Sequence, residues 1–328
     1  MNVLLVFPPH WAPVMPHLAL PTLTASLRAQ GLDVVQRDLS IETFDAVLSE
    51  GYLRQTLARL EASSSGQPRS QPERSLIARG PQLAADVEAA KATMRDQRFF
   101  DGRTSRRAFF TLVETLELAS LPFAPTKLQF TSFTPPVPVD QSAELLSVVG
   151  DPDRNLFLDL FRRIILQDIV DDPPDIVGIS IPTLDQMLAG MTLAYLIKAT
   201  GLPCHVTVGG PHISMLREQL PQTPRIFDLI DSAVVFDGEP ALMRLAAAVA
   251  TGEDLATVPN LIYRDGGEVR VNPVETLPPP NLLPDFDGLP LGRYLTPSPV
   301  LPLLSSHGCY HGRSEERRVG KECATGCR

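Results

Sequence analysis

Three of the four cysteines, Cys309, Cys323 and Cys327, fall within the last twenty residues. Thiols gathered in that way point to a metal rather than to the disulfide framework of a small secreted domain. A second set of residues differs in kind. Pro8-Pro9-His10, Ser180-Ile181 with Thr183, Gly209-Gly210-Pro211-His212 and Asp237-Gly238-Glu239 are short runs rich in glycine, proline and hydroxyls, each following an apolar stretch. They offer close backbone approach and hydrogen bonds but few acid–base pairs. The chemistry they favour is the holding of a large flat ligand.

The elements that must position these runs alternate in period. Residues 2–7 (NVLLVF), 33–38 (DVVQRD), 176–181 (IVGISI), 205–208 (HVTV) and 230–236 (IDSAVVF) read as five strands. Between them, leucines at helical spacing over 18–29, an apolar face over 184–197 ending at Gly201, and the alanine-rich stretch 241–250 predict helices. A crossover helix between two such strands makes them parallel, with a right-handed connection. The expected fold is α/β: a flavodoxin-like, Rossmann-like doubly wound sheet of five parallel strands. In such sheets ligands bind at the carboxyl ends of the strands, where all four runs fall.

At 328 residues the chain exceeds one typical domain, so two domains or one with a long insertion are expected. Helical patches at 42–60, 81–94, 106–118 and 156–169 place a helical insertion at 40–170, between strands 2 and 3. Long insertions of this kind often sit over the site. After the α/β unit, 1–255, a hairpin at 260–271 turning on Arg264-Asp265-Gly266-Gly267 and a proline-rich stretch read as a linker, 256–300. Net charge of −9 and a pI near 5.2 argue against a general nucleic-acid binder. No apolar run is long enough for a membrane span or a signal peptide, so a cytoplasmic protein without a membrane partner is expected. No GxGxxG follows the first strand, which disfavours a nucleotide-dependent dehydrogenase.

Taken in order, PP at the first strand end, the leucine-rich helix, VGISI, VGGPH and a last strand followed by GEPAL resemble the cobalamin-binding domain that precedes radical S-adenosylmethionine enzymes. The resemblance covers residues 1–252 apart from the insertion. LIYRDGGEVRVNP and ETLPPPNLLPDFDGLP resemble the link to the radical domain, and the insertion with SSHGCY resembles the subgroup acting on ribosomally made peptides. The resemblance implies cobalamin held by Pro8, Pro9, His10, Ser180, Ile181, Thr183, Gly209, Gly210, Pro211, His212, Asp237, Gly238 and Glu239. A peptide substrate is implied by the subgroup. The DxHxxG pattern that supplies a histidine beneath cobalt elsewhere is absent, so no strong protein ligand to cobalt is expected.

In the same family a strand and a glycine lead into CxxxCxxC, whose thiolates hold a four-iron cluster that binds S-adenosylmethionine. Residues 301–309 (LPLLSSHGC) match that beginning, which makes Cys309 an iron–sulfur ligand and 301–312 the start of a radical domain. Cys323 and Cys327 do not continue the pattern. From Arg313 to Arg328, eight of sixteen residues are charged, and RSEERRVGKEC resembles translated sequencing-adaptor read-through. A non-native tail at 313–328, and loss of the catalytic half, are therefore expected. The readings that remain are the cobalamin-binding part of a radical methyltransferase or peptide-modifying enzyme and a non-catalytic cobalamin- or nucleotide-binding sensory or carrier module.

Overall fold

The structure is a computed structural model, and it describes residues 1–62, 69–276 and 281–304. Its strands are β1 (Asn2–Phe7), β2 (Asp33–Asp38), the two-residue β3 (Lys127–Leu128) and β4 (Phe133–Thr134), β5 (Ile176–Ser180), β6 (His205–Gly209), β7 (Ser232–Val234), β8 (Leu261–Asp265) and β9 (Glu268–Val271). β3 and β4 pair only with each other. The rest form one seven-stranded sheet in the order β2-β1-β5-β6-β7-β8-β9. β2, β1, β5, β6 and β7 are parallel, while β8 and β9 run antiparallel.

The interior strands β1 and β5 are almost wholly apolar because both of their faces are covered, whereas the edge strand β2 alternates buried and exposed residues. Val3, Leu5 and Phe7 of β1 point to one side, into a core shared with α1 (Ala19–Arg28) and α11 (Gly238–Thr251). Leu4 and Val6 point to the other, where Val177 and Ile179 of β5 meet the largely apolar α9 (Met187–Ala199). A side chain on each strand thus chooses its layer by the period of two.

Seven helices lie between β2 and β5 among the described residues: α2 (Leu39–Val47), α3 (Glu50–Ala62), α4 (Gln71–Arg95), α5 (Gly102–Ser120), α6 (Ser142–Val148), α7 (Leu156–Phe161) and α8 (Gln167–Asp171). A helix expected to begin at Pro81 instead begins ten residues earlier. Ser70 and Glu73 cap each other's backbone amides, and α4 runs straight through Pro81. The capping box and the apolar contacts of Leu76, Leu83 and Val87 outweigh the one hydrogen bond that proline forfeits.

The expected five strands are corrected to seven. Tyr263 pairs with Ser232 and Leu261 with Val234, so the hairpin completes the sheet instead of standing apart from it. β7 is three residues long, shorter than the apolar run that announced it. The proline-rich stretch is irregular, yet its residues 285–295 are docked. Gln36 donates from Nε2 to the carbonyls of Asp285 and Asp287, Arg28 pairs with Asp285 at 2.7 Å, and Leu289, Tyr294 and Leu295 are buried. The short helix α10 (Pro211–Met215) follows β6. Among the described residues no helix is long and apolar enough to cross a membrane.

Candidate functional site

Sheet order sets the parallel strands' carboxyl ends in one row: Asp38, Pro8 to His10, Ser180 to Thr183, Gly209 to His212, then Phe236 to Glu239. The chain turns one way from β1 to β2 and the other way from β5 onward, so the switch point lies between β1 and β5. The two sides of this row differ.

On the β1–β5 side the row is closed. Pro8, Pro9, His10, Ser180 and Ile181 are all buried. The side chain of Gln186, also buried, spans the switch point: Nε2 donates to the Pro8 carbonyl at 2.9 Å, and Oε1 accepts from the Thr183 amide at 3.3 Å and hydroxyl at 3.1 Å. His10 is not the surface residue that a loop position implies. Its Nε2 donates to the Gln129 carbonyl at 2.5 Å, and its ring meets Phe44 edge-on at 5.6 Å. Burial lowers its pKa, with the Gln129 carbonyl pulling the other way, so the ring is held neutral.

On the β6–β7 side the row is half-open. Thr183, Gly209, Gly210, His212, Asp237, Gly238 and Glu239 are half-buried and Pro211 is exposed. The two glycines have different reasons to be there. Gly210 has φ +109°, and a Cβ on it would lie 2.9 Å from the Ile181 carbonyl carbon and oxygen. The chain's own packing therefore demands it. A Cβ on Gly209 would meet the Val234 carbonyl at 3.4 Å, a tolerable contact. The Ser214 hydroxyl locks the two loops together, donating to Gly210 O at 3.1 Å and accepting from the Phe236 amide at 2.8 Å.

His212 carries the one feature of the row that its own surroundings leave unsatisfied. Its Nε2 is buried without a hydrogen-bond partner in the described residues, and burial lowers its pKa. A buried polar nitrogen without a partner costs about 1–3 kcal/mol, which a ligand's donor or acceptor would recover. Leu184 and Met215 flank this side with 39% and 58% of their surface exposed. The combination fits a broad ligand that is apolar in its middle and polar at its edge.

At the far end of the row, Asp38 is fully buried. It accepts from the amides of Ser40 and Ile41 at 2.9 and 3.2 Å and from the Tyr294 hydroxyl at 2.6 Å. Desolvation pushes its pKa up to about 6, against the pull of these three donors. Sequence reasoning missed Asp38, Gln186 and Ser214. Asp38 and Gln186 left a signal, since D-L-S-I reads as a helix cap and T-L-D-Q as a capping box.

Two hollows lie elsewhere. One of about 400 Å³ is lined by Tyr195, Arg225 and Asp228 among others, and one of about 200 Å³ by Asn2, Asp33, Arg37 and Asp168 among others; neither includes a residue of the row proposed from sequence. No group of three His, Cys, Asp or Glu among the described residues could hold a metal ion. Cys309, the residue assigned to iron by resemblance, lies outside the described residues, as do Cys323 and Cys327.

No protein-family model matches the chain. Over 144 residues it is 31% identical to an uncharacterized methyltransferase of Pyrococcus horikoshii, a match that covers 42% of this chain and 30% of that protein. Among solved structures, the radical S-adenosylmethionine methyltransferase TsrM from Kitasatospora setae, with tryptophan substrate and an S-adenosylmethionine analogue bound, aligns at a TM-score of 0.39 and 16% identity. That alignment covers 83% of this chain and 30% of TsrM. The cobalamin-dependent radical enzyme OxsB, with aqua-cobalamin and S-adenosylmethionine bound, aligns at 0.41 and 16% identity over 84% of this chain and 22% of OxsB. The chain thus spans about a third or less of the length of the proteins it is similar to.

Proposed function

We propose that the chain is the cobalamin-binding part of a radical S-adenosylmethionine enzyme that transfers a methyl group or modifies a peptide. The observation that carries this reading is the half-open β6–β7 side of the strand-end row, with its unpartnered His212 Nε2 and the exposed Leu184 and Met215. Similarity to a methyltransferase over 144 residues supports the same class.

On this reading Gly209, Pro211 and His212, with Thr183, Asp237 and Glu239, would hold cobalamin on the half-open side, and the buried Ser180 and Ile181 would lie behind them. Cobalamin supplies a cobalt centre able to carry and release a methyl group. The residues of this chain bind and orient it: His212 gains a partner, Gly210 keeps the Ile181 backbone close, and Ser214 holds the β6 and β7 loops at fixed spacing. Gln186 and the Gln129 carbonyl keep the β1 side shut, so a ligand enters from the β6–β7 side. The four-iron cluster and S-adenosylmethionine belong to the radical step, which lies outside the described residues.

The test is incubation of the purified protein with hydroxocobalamin, removal of free ligand by desalting, and a visible spectrum. Corrin absorption retained at one equivalent is expected, reduced when Gly209 is replaced by a bulky residue. A folded protein that retains no corrin absorption refutes the reading.

A further inference from the structure

The amino-terminal half of α5 carries a face that nothing in the described structure uses. Arg103, Arg106, Arg107 and Phe110 recur three and four apart, which sets them on one side of the helix, opposite the buried Ala108, Leu112 and Ala119. All four are exposed. Every other arginine described along the neighbouring α4 and the turn after it has a polar partner: Arg74 with Gln71, Arg79 with Glu114, Arg95 with Asp45 and Arg98 with Asp96. Among the described residues, Arg103, Arg106 and Arg107 have no carboxylate within salt-bridge distance. Asp101, the nearest acid in sequence, spends its carboxylate capping the Arg103 and Thr104 amides.

Aromatic surface accompanies the charge. Phe110 is 57% exposed, Phe109 40% and Phe100, in the turn just before α5, 68%. Exposing three phenylalanines beside three unpaired arginines is costly unless a partner covers them. That partner has complementary chemistry. In a chain of net charge −9, this basic and aromatic face selects a segment bearing carboxylates with an apolar residue between them. Nucleic acid fits less well, because a chain of net charge −9 repels a continuous row of phosphates.

The face is also connected to the strand ends. Phe109 stacks on Phe130 at 5.3 Å, Phe130 on Phe44 at 5.8 Å, and Phe44 meets His10 at 5.6 Å. Three ring contacts therefore link Phe109, itself edge-on to Phe110, to the carboxyl end of β1. We infer that the Arg103–Arg106–Arg107–Phe110 face of α5 docks an acidic peptide segment, on a surface that stacked rings connect to the strand-end row. The inference stands on charge, exposure and spacing, and does not depend on cobalamin binding.

The test is fluorescence anisotropy with a labelled peptide of Glu-Glu-Leu repeats. The wild-type protein is expected to bind it, with affinity falling as salt rises. The triple variant R103E/R106E/R107E should bind at least about tenfold more weakly, and Phe110→Ser should weaken binding without removing its salt dependence. R270E, on the far edge strand, should bind as wild type does, and circular dichroism confirms that each variant is folded. Failure of the wild-type protein to bind overturns the inference, as does equal binding by the triple variant. Tighter binding of phosphatidylserine vesicles or of a single-stranded oligonucleotide than of the peptide also overturns it, since the face would then read an anionic surface.

Discussion

The Tyr294 hydroxyl donates to Asp38 Oδ2 at 2.6 Å, across 256 residues of sequence, and both side chains are buried. Through this bond the proline-rich stretch is fastened to the carboxyl end of β2, beside the row of strand ends. Asp38 in turn caps α2, whose Ser40 exchanges hydrogen bonds with Trp11 in the loop after β1. One carboxylate thus joins the linker, a helix start and the first strand end.

Removing the hydroxyl should loosen that junction. Tyr294→Phe leaves Asp38 with its two amide donors and one unpaired oxygen in a dry site. A loss of about 1–3 kcal/mol is expected in chemical denaturation, because hydrogen bonds to charged groups are worth that much. Limited proteolysis should also cut the 285–295 stretch faster than in wild type.

Asp38 and His17 should give stability opposite pH slopes. The folded pKa of Asp38 is raised from 3.8 to about 6, so the native state holds a proton that the unfolded chain has lost, and this group's contribution falls as pH rises from about 4 to about 6. His17 accepts the Ala19 amide at Nδ1, and burial lowers its pKa from 6.5 to about 4. Its contribution is lost as pH falls from about 6.5 to about 4. Urea titrations across that range should show Asp38→Asn removing a falling component and His17→Asn a rising one, each of order 1–3 kcal/mol.

The two adjacent glycines should separate fold from ligand. Gly210→Ala places a Cβ against the Ile181 backbone and forces φ +109° on a residue that resists it. Destabilisation of about 1–3 kcal/mol is expected from the strain. Gly209→Ala should melt within a few degrees of wild type, so any change in hydroxocobalamin retention there reports the ligand.

Gln186→Leu should open the switch point. It keeps the volume but strands the Pro8 carbonyl and the Thr183 amide, at a cost of about 1–3 kcal/mol. Hydrogen exchange at the amides of Thr183 and of residues following Pro9 should rise while the distant hairpin β8–β9 stays protected.

The sequence by itself determined the alternation of strands and helices in the β1–α1–β2 and β5–α9–β6–β7–α11 stretches, because period two and period 3.6 are properties of a few neighbouring residues. It also placed Ser180, Gly209, Gly210, His212 and Gly238 at strand ends, since each closes its strand or follows it within four residues. Tertiary structure alone decided which ends are open. His10 is shut in by the Gln129 carbonyl, 119 residues away, and Pro8 by Gln186, 178 residues away. It also decided that the hairpin joins the sheet and that Tyr294 docks on Asp38. The periodicity of a segment records which of its faces is apolar, and these contacts depend instead on which distant segment comes to cover it.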